Sequence, residues 1–187
     1  MKKSIWTGLV LSASLVMAQP ASAFTQACQL VAKMAGPAYE TKALRVASFT
    51  AEANMPSDFK LSFLEQNGAW FVYQTEQSWF DKESCAPLKK RFENRDIEFA
   101  PVLFNKSTGR NAVITSSFLI KTYNKADIDK MAARYGFKML THLPRGSSAI
   151  FDVTGVVSYD RMLEELDRDK DIQVAAPVLS EPRYRLR

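Results

Sequence analysis

The stretch Ser180-Glu181-Pro182-Arg183-Tyr184-Arg185-Leu186-Arg187 carries the side chains best suited to recognition chemistry in this chain. Three guanidinium groups, each a planar fork of donors that fits a carboxylate, are interleaved with Tyr184 and Leu186. Pro182 keeps the preceding strand from running on as a central strand. Such a segment is built to lie extended in a partner's groove, with main-chain hydrogen bonds for affinity and pockets for alternate side chains. The plain alternative is a frayed terminus. Elsewhere the reactive groups are few. His142 is the sole histidine, so a Ser-His-Asp triad would have to use it, yet no Gly-x-Ser-x-Gly elbow accompanies it. Glu164, Glu165 and Asp167 share a helix whose Leu163 and Leu166 face inward, which makes them a solvated face. No metal-ligand spacing and no cofactor motif appears. Composition and motifs argue against an enzyme.

Cys28 and Cys85 are the only cysteines. Lys2 and Lys3, the apolar run Ile5 to Met17 and Ala21-Ser22-Ala23 form a secretory signal over residues 1–23, cleaved before Phe24. The apolar run is short for a bilayer span. In an oxidising compartment the even cysteine pair reads as a disulfide. A redox or metal pair lacks a Cys-x-x-Cys or a neighbouring histidine. The expected location is the periplasm, with no membrane contact after cleavage. Cleavage takes two lysines from a net charge of +5. The remaining cations are scattered among carboxylates, so nucleic acid is a poor partner.

The elements that must position these groups fall into two modules. Residues 24–108 read as a small disulfide-bearing α+β module. Its first helix, capped by Thr25, carries Cys28, Leu30, Val31 and Met34 and stops at Gly36-Pro37. A strand follows over Ala43 to Ala51. A hairpin turns at Asn67-Gly68, pairing Leu64 with Phe71 and Phe63 with Val72. A second short helix spans Pro87 to Phe92 behind Ser84, so that the disulfide staples helix to helix. A further strand runs from Ile97 to Phe104. Asn105 to Asn111, polar and containing Gly109, reads as the module boundary. Residues 112–187 then give strand (Ala112 to Lys121), helix (Ile128, Met131, Ala132, Tyr135; capped by Asn124 and Gly136), strand (Phe137 to Leu140), strand (Ala149, Phe151, Val153), helix (Tyr159, Met162, Leu163, Leu166; capped by Ser158) and strand (Ile172 to Ala176). The expected fold class is α+β, with a C-terminal ferredoxin-like βαββαβ module whose helices cover one sheet face and leave the other open.

The runs Met131-Ala132-Ala133-Arg134-Tyr135-Gly136-Phe137-Lys138, Leu143-Pro144 with Ala149-Ile150-Phe151-Asp152-Val153, and Met162 to Asp169 with Ile172-Gln173-Val174-Ala175 resemble the propeptide domain of subtilisin-family serine proteases. With the exported N-terminal module and no protease domain after Arg187, the whole chain resembles the external chaperones of kexin-like secreted serine proteases that lack a propeptide. That resemblance implies one partner, a subtilisin-family protease bound 1:1. It implies help with folding, and inhibition by residues 180–187 in the active-site cleft, with Arg187 in an acidic pocket and Leu186 in the adjoining subsite. The acidic residues that many such propeptides carry after the last strand are replaced here by Ala175-Ala176-Pro177, with Glu181 the nearest carboxylate. A stand-alone secreted inhibitor and a periplasmic adaptor for an unrelated partner are the alternatives.

Overall fold

A computed structural model describes residues 26–144 and 146–182. Residues 1–25, which hold the expected signal segment and the Thr25 cap, Arg145 and residues 183–187 lie outside the described residues. The elements run α1 (Gln29–Ala35), β1 (Tyr39–Ser48), β2 (Ser62–Asn67), β3 (Trp70–Gln74), β4 (Leu88–Phe92), β5 (Arg95–Asn105), β6 (Arg110–Thr122), α2 (Asp127–Tyr135), β7 (Lys138–His142), β8 (Ser148–Asp152), α3 (Tyr159–Arg168) and β9 (Ile172–Ser180). The strands form one antiparallel nine-stranded sheet in the order β2-β3-β1-β5-β6-β8-β7, with β4 added on β5 and β9 on β6.

This architecture corrects the expected α+β class, a ferredoxin-like βαββαβ module beside a separate N-terminal module. The sheet is continuous across both halves, and the reason lies in β6. The stretch read as a linker is the tight turn of a β5–β6 hairpin, closed by Gly109 N–H and Thr108 N–H on the Asn105 carbonyl; Gly109 supplies the positive φ of 69° that the turn requires. From that turn Asn111 and Val113 pair back onto Phe104 and Val102. The same strand then continues to Thr122, where Leu119 faces Ile150 on one side and Ala176 on the other. A 13-residue strand that is needed by both halves leaves no seam between them.

Other expectations change, the Asn124 cap among them: the N-cap of α2 is Ala126, which makes no side-chain cap. Pro87 to Phe92 is not helical: Leu88, Lys90 and Phe92 alternate with exposed Lys89 and Arg91, a period of two that suits strand β4 on β5. The hairpin turns one residue later than Asn-Gly would place it, since Asn67 pairs Trp70 across Gly68-Ala69 and Leu64 is a bulge. Asn67 is buried and bonds to β6, so its side chain is spent on tertiary contact and Gly68 (φ 61°) starts the turn. Finally, β9 passes Ala176 and reaches Ser180, with Pro177 seated where the register with β6 shifts, a site that tolerates a missing N–H.

All three helices lie on one face of the sheet. Their apolar stripes meet Leu103, Ile114, Phe118, Ile120 and Phe151 in the largest core cluster. In the N-terminal half the same face is covered by Phe59, Trp79 and Phe80 around Phe99 and Val46. The opposite face there is curled: small residues, Ala47 opposite both Ala100 and Val72, let the strands approach. The curl brings β2 back within hydrogen-bonding reach of β6, with three strands between them in the sheet order.

Cys28 and Cys85 form the expected disulfide, 57 residues apart in sequence. It joins the start of α1 to the loop before β4, rather than helix to helix. Closing a loop of that size is worth about 4 kcal/mol in the chain-entropy description. The double variant Cys28→Ser/Cys85→Ser should therefore lose about that much unfolding free energy in urea denaturation. A loss well under about 1 kcal/mol would show that the packing around α1 holds the loop without the covalent bond.

Candidate functional site

The face of strands β9, β6, β8 and β7 away from the helices is the candidate interface. Alternation along β6 sends Phe118 and Ile120 into the helix-covered core and Leu119 and Lys121 outward. Leu119 pairs with Ala176 on one side and Ile150 on the other, and Ile150 pairs with Thr141. Ala176, Leu119 and Ile150 form an aliphatic row across three strands, which Thr141 continues onto β7. Leu119, Ile150 and Ala176 stay half-exposed, whereas Phe118, Phe151 and Ala175 behind them are buried. Val174 opposite Lys121 and the bulged Leu140 extend the exposed apolar surface, at 38% and 50% exposure. Among the described residues no helix packs over this row; such a surface suits protein contact rather than catalysis.

The sequence-predicted segment begins at the edge of this sheet. Ser180 is the last residue of β9, opposite Val113. Glu181 is tied back to the N-terminal half: its Oε1 accepts from the Tyr39 hydroxyl at 2.7 Å and from Asn105 Nδ2 at 3.3 Å. Pro182 is half-buried beside it, and Arg183, Tyr184, Arg185, Leu186 and Arg187 lie outside the described residues. His142 is an exposed residue at the end of β7. Of the α3 carboxylates, Glu165 and Asp167 are exposed, while Glu164 pairs with Lys82 at 2.9 Å. Among the described residues no group of three or more His, Cys, Asp or Glu side chains is placed to hold a metal ion, and no helix is long and apolar enough to cross a membrane.

What positions this sheet is a polar clamp behind it, which the sequence did not announce. Asp160 is fully buried in the first turn of α3, and its Oδ1 accepts from Val31 N–H at 3.0 Å. It thereby caps α1, whose own N-cap residue, Cys28, makes no side-chain cap. Cys28 sits at φ 59°, a left-handed conformation rare for a non-glycine residue, held here by the disulfide. One residue from Asp160, Tyr159 N–H donates to the Cys85 carbonyl at 2.7 Å. Ser158 Oγ donates to the Lys82 carbonyl at 2.6 Å and accepts from Arg161 N–H, doubling as the cap of α3. The Arg161–Glu83 ion pair closes the outer side. Beside it lies a cleft of about 390 Å³ floored by Tyr135, Phe137, Val156 and Met162. Asp160 follows a normal Ser-capped helix start and reads in sequence as ordinary first-turn acid; nothing local marks it as the cap of another helix.

Burial pushes the Asp160 carboxyl above its usual range, opposed in part by the N–H groups of Val31, Leu30, Cys28 and Gln29. No protein family model, curated protein or solved structure matches this chain.

The raised value fixes a pH signature. Between the ordinary carboxylate range and that value the native chain holds more protons than the unfolded chain, so Asp160 makes stability fall as pH rises. Relative to Asp160→Asn, the wild type should lose unfolding free energy from about pH 4 upward and then level off. A difference that stays flat with pH would show that the α1 N–H groups fully offset burial. Asp160→Ala, which uncaps α1, should cost about 1–3 kcal/mol at neutral pH.

Proposed function

We propose that this protein is an exported, dedicated chaperone and inhibitor of a subtilisin-family, kexin-like serine protease, bound 1:1. The observation that carries the reading is the half-exposed aliphatic row on β9, β6 and β8, with β9 ending at Ser180 on the same sheet. The buried Cys28–Cys85 bridge is in keeping with an oxidising compartment, the periplasm or the medium.

The physics of the proposed action is differential binding. A protease with a high folding barrier has to pair distant segments before any contact stabilises them. A rigid preformed sheet that binds the native-like arrangement lowers that barrier and then stabilises the folded protease by mass action. The aliphatic row supplies apolar contact area. The tail adds main-chain hydrogen bonds by lying extended in the cleft, and Arg187 offers a bidentate contact to a carboxylate in the specificity pocket. Bound in that way, the segment occupies the position of a cleaved product.

The test is titration of the mature protease with the full-length protein, a form lacking residues 183–187, Arg187→Ala and Leu119→Asp. Arg187→Ala should inhibit about tenfold less well or worse, mainly through faster dissociation, and the truncated form should lose most inhibition. Leu119→Asp should weaken binding while leaving the fold intact, because its side chain faces outward. Coexpression should raise the yield of active protease; equal yield with and without this chain would leave a stand-alone inhibitor. Equal inhibition by all four forms would remove both the tail and the open face from the interface.

A further inference from the structure

β9 stops at a defined point on β6, and the stop is built from side chains. Val113, opposite Ser180, ends the β6–β9 ladder. Residues two apart on a strand direct their N–H and C=O toward the same edge, so Asn111 offers the next pair of groups to β9. Continuing the register of Ile114↔Leu179 and Val113↔Ser180 places Pro182 opposite Asn111. Those groups are already engaged. Glu65 Oε1 accepts from Asn111 N–H at 3.3 Å and from its side-chain amide at 2.8 Å. Asn67 Nδ2 donates to the Asn111 carbonyl at 3.0 Å and to Glu65 Oε1 at 3.3 Å. Arg45 Nη1 donates to Asn111 Oδ1 at 2.6 Å. Asn67 and Asn111 are 3% and 6% exposed, so the bridge is part of the folded interior.

We propose that Glu65, Asn67 and Asn111 form a strand stop: they satisfy the β6 edge where β9 would otherwise continue, so that this edge offers no free group to compete with a partner for the residues beyond Pro182. Pro182 completes the device, since it has no N–H to compete with Asn67 for the Asn111 carbonyl. Glu181 also takes part. Its carboxylate is anchored on Tyr39 and Asn105, which fixes the residue that follows the end of the ladder. These are positioning residues, and their purpose rests on the tail-docking reading above; the stop itself does not.

The test uses the full chain and the amide at position 182. Pro182→Val restores a donor there while Asn67 still holds the Asn111 carbonyl, so that amide should exchange its hydrogen at an unbonded rate. Combining Pro182→Val with Asn67→Ala frees the carbonyl, and exchange at position 182 should slow at least tenfold in the unbound protein. The double variant should also inhibit the protease less well than Pro182→Val alone. Equal exchange at position 182 in the two variants overturns the strand stop. Slowed exchange with undiminished inhibition leaves the stop standing and overturns the docking of the tail. Should Asn67→Ala unfold the chain, Asn67→Ser keeps a polar group too short to reach the carbonyl and gives the same comparison.

Discussion

Strand β6 has to have both of its edges satisfied along its whole length, and most of the architecture follows from how that is done. A buried strand cannot leave N–H and C=O groups unmet. On one side, β5 covers the first residues of β6 and β8 the last. On the other, β9 pairs Val113, Ile114 and Phe118 to Thr122, the Thr115 hydroxyl donates to the Val178 carbonyl at the register shift between Ile114 and Phe118, and side chains of β2 cover Asn111. The N-terminal half curls because β2 must come back to reach that residue. Small side chains at Ala47 and Ala100 permit the curl, since larger ones would hold the strands apart. The flat, half-exposed region is the part where backbone partners suffice on both sides, so its outward side chains are not called on to close anything.

The helices answer a different demand. α1 has seven residues, too few to persist on its own. Its Val31 N–H finds its acceptor in α3, its N-cap residue Cys28 is tied to Cys85, and α3 in turn is held by the carbonyls of Lys82 and Cys85. Removing any one of these contacts weakens the others, because each orients the groups that make the next. This coupling holds the covered face of the sheet rigid, and a rigid back is what allows the opposite face to present a constant shape.

Much of the local structure is legible in the sequence, and its limits are physical. The 3.6-residue stripes of α2 and α3, the Ser158 cap and the disulfide are written in short-range patterns. The order of elements after Asn111 is legible for the same reason. Where the elements join is not. Asn105 to Asn111 has the composition of a linker and of a hairpin turn alike, and only the partners of β6 decide between them. Leu88 to Phe92 carries three consecutive cations, which hide its period of two. Asn67 looks like the first residue of a type I′ turn until its amide is needed by Asn111, 44 positions away. Asp160 is the extreme case, since its partner lies 129 positions back. At Asn67 and Asp160 the local preference is overridden by a long-range polar contact.

That 129-residue span sets the order in which this chain can mature. A chain is made from its N-terminus, so α1 emerges early but gains its cap only when α3 has been made. β6 likewise waits for β9, the last strand. Until then α1 lacks the acceptor for its Val31 N–H and one edge of β6 lacks its partner strand. The capping of α1 is thereby delayed until α3 has been made. Cys28 stands at the head of α1 and Cys85 beside the segment that holds α3, so the two thiols meet once α3 packs, when native contacts already hold them face to face.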